Sequence, residues 1–106
     1  MEKILVISAT NDNNLALAKE LNELLSKIGA SSEMVCLEDL KLPLYNIESM
    51  PKENVVESLV EKMNQSAGFI FCAPEYNGGV PPVLSNAITW ITVKSKEWRY
   101  VFNGKF

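Results

Sequence analysis

The stretch from Phe69 to Trp90 constrains this chain most: an apolar run, Phe69-Ile70-Phe71-Cys72-Ala73, passes into Pro74-Glu75-Tyr76-Asn77-Gly78-Gly79-Val80-Pro81-Pro82 and then into a helical pattern. An unbroken apolar run of this kind reads as a strand covered on both faces, the usual condition in a parallel sheet. The prolines and glycines make the next segment a rigid loop, and the Pro81-Pro82 pair suits a helix start, where a missing N–H costs nothing. In open α/β sheets ligands bind in the crevice beyond the carboxyl ends of the strands, so the loop is a candidate site.

The rest of the chain repeats the strand-and-helix alternation. Lys3-Ile4-Leu5-Val6-Ile7-Ser8 is an apolar, β-branched run and forms the first expected strand. After a polar turn, Leu17, Leu21, Leu24, Leu25 and Ile28 recur at helical spacing, a stripe expected to pack on the sheet and to end at Gly29 in a left-handed cap. Glu33-Met34-Val35-Cys36-Leu37 is a shorter, more polar second strand suited to a sheet edge. Residues 38 to 51 carry turn formers, Asp39, Pro43, Asn46 and Ser49, and read as a connecting loop. Its Leu40, Leu42, Leu44 and Ile47 are expected to fold back on the core. From Pro51 to Gln65, Val55, Val56, Leu59, Val60 and Met63 make a second helical stripe; Val83, Leu84, Ala87, Ile88 and Ile91 make a third. Trp90 is expected in the core or an interface.

Several function classes are excluded by what the chain lacks. Its net charge is −3 and its ten basic residues are scattered, which argues against a nucleic-acid surface. No apolar stretch approaches the roughly 20 residues that span a bilayer. Met1-Glu2-Lys3 leads into the first strand without a cleavage pattern, so no membrane association and a cytoplasmic location are expected. With 47% hydrophobic residues, 106 residues supply one core, and residues 1–106 read as a single domain. The two cysteines, Cys36 and Cys72, lie in apolar segments and read as buried free thiols, with no metal-ligand spacing. There is no histidine, which removes the commonest general base, metal ligand and partner of a nucleophile. No catalytic side chain is assigned.

The turn after the first strand, Ser8-Ala9-Thr10-Asn11-Asp12-Asn13-Asn14, is rich in hydroxyls and amides and opens the first helix, where backbone N–H groups and the helix dipole favour an anion. Ser8, Thr10, Asn11, Asn13, Asn14 and Leu15 are therefore candidate ligand-binding residues, with Asp12 as a repulsive charge. The same residues also suit an ordinary capped turn. Likewise Pro74, Glu75, Tyr76, Asn77 and Gly78 form either a binding loop or a plain strand-to-helix connection with Tyr76 packed on the surface. Glu75 is open between a ligand contact, a subunit contact and a solvated carboxylate.

Pro74-Glu75-Tyr76-Asn77-Gly78, followed by Pro82, Leu84, Asn86, Ala87 and Trp90, resembles the signature of the NADPH-dependent FMN reductases, a family that includes azoreductases and quinone or chromate reductases. The resemblance implies a flavodoxin-like three-layer α/β/α fold with a parallel sheet and an FMN cofactor. It further implies NADPH or NADH as electron donor and a quinone, azo compound, metal oxyanion or flavin as small-molecule acceptor. The first loop would take the FMN phosphate, and the backbone from Pro74 to Gly78 would lie along the isoalloxazine ring with Tyr76 and Asn77 flanking it. In the family the first loop commonly carries a Gly-Ser pair and an Arg; here Ala9 and Thr10 stand there and no Arg is present.

Trp98 to Lys105 resembles the lead-in to the family's fourth strand, so the chain is expected to supply strands in the order 2-1-3 and to lack the C-terminal strands of a 2-1-3-4-5 sheet. Three readings follow: a shortened flavin reductase that binds FMN as a homodimer, an inactive truncated relative or fragment, and a self-associating interaction module. A homodimer is expected because the apolar edge of the third strand would otherwise be exposed.

Overall fold

Three extended runs pair side by side, Lys3–Ser8 and Ser66–Cys72 largely apolar and Ser31–Cys36 more polar. The structure is a computed structural model in which residues 3–46, 55–74, 79 and 81–94 are described. Strand β1 (Lys3–Ser8) is central, flanked by β2 (Ser31–Cys36) and β3 (Ser66–Cys72), all parallel, in the order β2-β1-β3. Lys3 pairs with Ser31 and Ser66 at one end and Ser8 with Cys36 and Cys72 at the other, with one irregularity between Lys3 and Ile4 on the β3 side. The three carboxyl ends are therefore level.

Helix α1 (Asn13–Lys27) carries the chain from β1 out to β2; α3 (Val55–Asn64) carries it back across to β3. Crossovers of one hand that run in opposite directions along a sheet put their helices on opposite faces. Side chains alternate accordingly. Val6 and Cys72, with Met34 and Ile70, pack beneath Ala18, Leu21 and Leu25 of α1. Leu5, Ile7, Ala9 and Val35 pack with Leu59 and Met63 of α3 and with Leu84, Ala87 and Ile91 of α4 (Pro82–Lys94). The α/β/α layering and strand order expected from the sequence are what the chain adopts.

Three expectations need correction. The α1 stripe does not pack as a whole: Leu17, Leu24 and Ile28 are 47%, 55% and 77% exposed, whereas Ala18 is fully buried. The sheet meets the i, i+3, i+7 line of Ala18, Leu21 and Leu25, and the remaining leucines fall on the flank beside it. The segment after β2 is not all loop: Leu37–Leu40 forms a one-turn helix, α2, closed by Lys41 in the left-handed region at φ 52°. Leu37 thus belongs to α2, and β2 begins two residues earlier than expected. Leu40 and Leu42 reach the core, but Leu44 is exposed; Ile47 lies outside the described residues.

Helix ends follow local chemistry. At the end of α1, Gly29 adopts φ 84°, its N–H donates to the Ser26 carbonyl (3.1 Å), and Ala30 N–H donates to Leu25 (2.9 Å). This pair of bonds is the Schellman arrangement, which satisfies the last carbonyls and favours glycine at the left-handed position. At the start of α4 the Pro81 carbonyl accepts from Leu84 (3.0 Å) and Ser85 (3.2 Å), so Pro82 occupies the first helical position.

Candidate functional site

The level carboxyl ends of β1 and β3 lie side by side where the chain reverses its direction across the sheet, the position at which open α/β sheets bind ligands. The Ala9 N–H donates to the Cys72 carbonyl (2.9 Å), extending the ladder one residue and joining the β1 loop to the end of β3. Beyond β3 the chain continues through Ala73 to Pro74, which is half-buried; the predicted site residues Glu75, Tyr76, Asn77 and Gly78 lie outside the described residues.

The β1 loop is built from the inside outward. Ser8 is fully buried and its hydroxyl donates to the Thr10 carbonyl (2.6 Å), so it shapes the turn from beneath. The Thr10 hydroxyl donates to Asp12 Oδ1 (2.6 Å). The same oxygen accepts the Asn14 backbone N–H (3.0 Å) and Asn14 Nδ2 (3.2 Å). Asp12 is thus the N-cap of α1, and its carbonyl also accepts from Leu15 (3.0 Å) and Ala16 (3.3 Å). The Thr10 hydroxyl, followed by the Asn14 N–H, holds the Asp12 carboxyl below the usual carboxylate range. Asn13 is exposed at the first helical position, and Asn14 and Leu15 are half-buried behind it.

A second element enters from β2. Glu38 Oε1 accepts the Asn11 backbone N–H (2.8 Å), and Asp39 Oδ1 accepts Asn11 Nδ2 (3.3 Å). The Thr10 hydroxyl, the Asn11 and Asn14 backbone N–H groups and both carboxamides thus point at carboxylates of the chain itself. Neither Glu38 nor Asp39 is among the site residues expected from the sequence, where Asp39 reads only as a turn former. The one available signal was position, directly beyond the end of the strand next to β1.

Signature residues on α4 hold the scaffold. The Asn86 carboxamide donates to the Pro43 carbonyl (2.8 Å) and accepts the Tyr45 N–H (2.7 Å). Trp90, 2% exposed, donates its indole N–H to the same Pro43 carbonyl (2.8 Å) and meets Tyr45 edge-to-face at 5.0 Å. Of the two readings open for Trp90, core packing is the one adopted. Together Asn86 and Trp90 fasten the segment after α2 to the helix that follows the Pro74–Pro82 loop.

The cysteines flank Ser8 across the sheet at two strand spacings, about 10 Å, too far to be bridged. Cys72 is buried, and burial pushes its thiol up, so it stays protonated. Cys36, expected to be buried, is only half-buried, because β2 is an edge strand among the described residues. Among the described residues no three His, Cys, Asp or Glu side chains are grouped to hold a metal ion, and no helix is long and apolar enough to cross a membrane.

The model of one family, described as NADPH-dependent FMN reductase, matches residues 2–105. An Escherichia coli quinone reductase is 37% identical over 67 residues, covering 59% of this chain and 36% of that protein. The NADH-dependent flavin reductase subunit 2 of Lactobacillus johnsonii is 30% identical over 89 residues, covering 83% and 47%. Among solved structures, the flavoenzyme NAD(P)H:(acceptor) oxidoreductase FerB of Paracoccus denitrificans superposes with a TM-score of 0.73 at 24% identity, covering 99% of this chain and 57% of that one. The chain thus spans between about a third and a half of the length of these two sequence relatives. With the signature loop, the strand order and the family match in agreement, the chain belongs to the NADPH-dependent FMN reductase family.

Proposed function

We propose that this protein binds FMN across the carboxyl ends of β1 and β3 and serves an NAD(P)H-dependent reduction of a small acceptor: a quinone, an azo compound, a metal oxyanion or a free flavin. The observation that carries the reading is the donor set at the start of α1. The Thr10 hydroxyl, the Asn14 backbone N–H and the Asn14 carboxamide converge on one carboxylate oxygen, and the Asn11 N–H on another. Hydroxyl, amide and helix N-terminal N–H groups aimed at anionic oxygen are what a phosphate needs, so the residues fit the group.

In this reading Thr10, Asn11, Asn13 and Asn14 hold the phosphate, with Ser8 and Leu15 fixing the loop. Pro74, Glu75, Tyr76, Asn77 and Gly78 border the ring. The chemistry supplied by bound flavin is hydride uptake from NAD(P)H and electron delivery to the acceptor. The side chains bind and orient; Cys72, a protonated buried thiol, takes no part as a nucleophile. A cytoplasmic homodimer belongs to the same reading. Two free cysteines suit a reducing compartment, and the exposed Leu17, Leu24, Ile28 and Phe71 offer apolar surface for a second copy.

Titration of the purified protein with FMN, followed by flavin fluorescence, tests the reading. Saturation near one flavin per chain, with NAD(P)H bleaching the bound flavin, is the expected result; a protein that leaves flavin fluorescence unchanged overturns it.

A further inference from the structure

We infer that Asp12 and Glu38 set the flavin specificity of this site, their carboxylates filling the anion cradle at the start of α1 so that the protein gains little from the phosphate that distinguishes FMN from uncharged riboflavin. The inference rests on the flavin reading above and concerns what the loop does to it.

Five donors of the cradle are committed to carboxylates within the chain. Asp12 Oδ1 takes three donors, the Thr10 hydroxyl and two from Asn14, and Glu38 Oε1 takes the Asn11 N–H. Asp39 takes the Asn11 carboxamide. A phosphate at this helix start would need the same donors, and it would gain them only by displacing oxygens of its own charge sign. Among the described residues no ion pair neutralises Asp12, Glu38 or Asp39; the two pairs present both involve Glu33. The Asp12 carboxyl is held below its ordinary range by these same hydrogen bonds, that from the Thr10 hydroxyl first. Phosphate therefore competes with the carboxylates of Asp12, Glu38 and Asp39 for these donors, and among the described residues no ion pair offsets their charge. The isoalloxazine and ribityl groups, common to FMN and riboflavin, carry no phosphate charge and do not draw on these donors.

Asp12→Asn separates capping from charge, because Asn is as good an N-cap as Asp and its carbonyl oxygen can accept the same N–H. Glu38→Gln is an independent second variant, acting from α2. Glu23→Gln is the control: it removes one exposed charge from α1 about 16 Å along the helix from Asp12, beyond a Debye length at physiological salt.

The experiment is equilibrium titration of the four proteins with FMN and with riboflavin, read as quenching of flavin fluorescence, with circular dichroism confirming the fold. The expected result is FMN and riboflavin bound within about threefold of each other by the wild type. Asp12→Asn should tighten FMN about tenfold, Glu38→Gln should do so in the same direction, and riboflavin should be unchanged. Glu23→Gln should alter neither. If the wild type binds FMN more than about tenfold tighter than riboflavin, or the folded Asp12→Asn variant binds FMN no tighter, the inference is overturned while the flavin reading stands. If neither flavin binds any of the four, the flavin reading itself fails and takes the inference with it.

Discussion

Asn86 does the most for its size. Its carboxamide faces two backbone groups more than forty residues away in sequence, the Pro43 carbonyl and the Tyr45 N–H. Truncation leaves both without that partner in a half-buried place, so Asn86→Ala should lower stability by about 1–3 kcal/mol, measured by urea denaturation. Glu33 is a contrasting case. Lys3 (2.9 Å) and then Lys62 (3.0 Å) hold its carboxyl below the ordinary glutamate range. All three side chains are about a third or more exposed, so Glu33→Gln should cost less than about 1 kcal/mol at neutral pH. The sign follows from the depressed folded-state pKa. The contribution is present above the unfolded glutamate pKa and is lost as pH falls through the folded value. Wild-type and variant urea midpoints, separated at pH 7, should therefore converge in acid; a gap that widens on acidification would contradict the assignment.

At the scale of elements, Gly29 and the face of α1 carry the informative tests. A methyl group on Gly29 would meet nothing within 4 Å, so Gly29→Ala should cost only the left-handed backbone term, about 1 kcal/mol, seen as a lower thermal midpoint. On α1, Ala18→Leu should destabilise by about 1–3 kcal/mol through overpacking against Val6 and Cys72. Leu24→Ala, on the exposed flank, should stay within about 0.5 kcal/mol. Equal effects would mean that the other flank of the helix meets the sheet. This pair also shows where the sequence was legible. The stripe of α3 read largely correctly: Val56, Leu59 and Met63 are buried on one narrow line, and Val55 and Val60 beside it are half-buried. Helix α1 carries apolar residues over a wider arc than the sheet covers, and periodicity alone cannot say which edge of the arc is used. Four-residue α2 has no periodicity to read, so it passed as loop.

Across the whole molecule, the order β2-β1-β3 with α1 on one face and α3 and α4 on the other was legible because three apolar runs separated by two helical stripes admit few parallel arrangements. The polar chemistry of the site was only half legible. Thr10, Asn11 and Asn14 could be marked as donors from the turn after β1, but their acceptors could not. Glu38 and Asp39 lie 27 and 28 residues away and arrive only through the pairing of β1 with β2. Asn86 was visible as a signature residue, yet its partners depend on where the segment after α2 crosses α4. The central claim is that flavin binds where β1 and β3 end together. Its most direct test is an FMN titration of the isotopically labelled chain followed by amide NMR shifts. The account predicts saturable shifts confined to the Ala9–Leu15 amides and the segment from Ala73 to Gly79. Shifts centred instead on the outer face of α3, or none at saturating FMN, would contradict it.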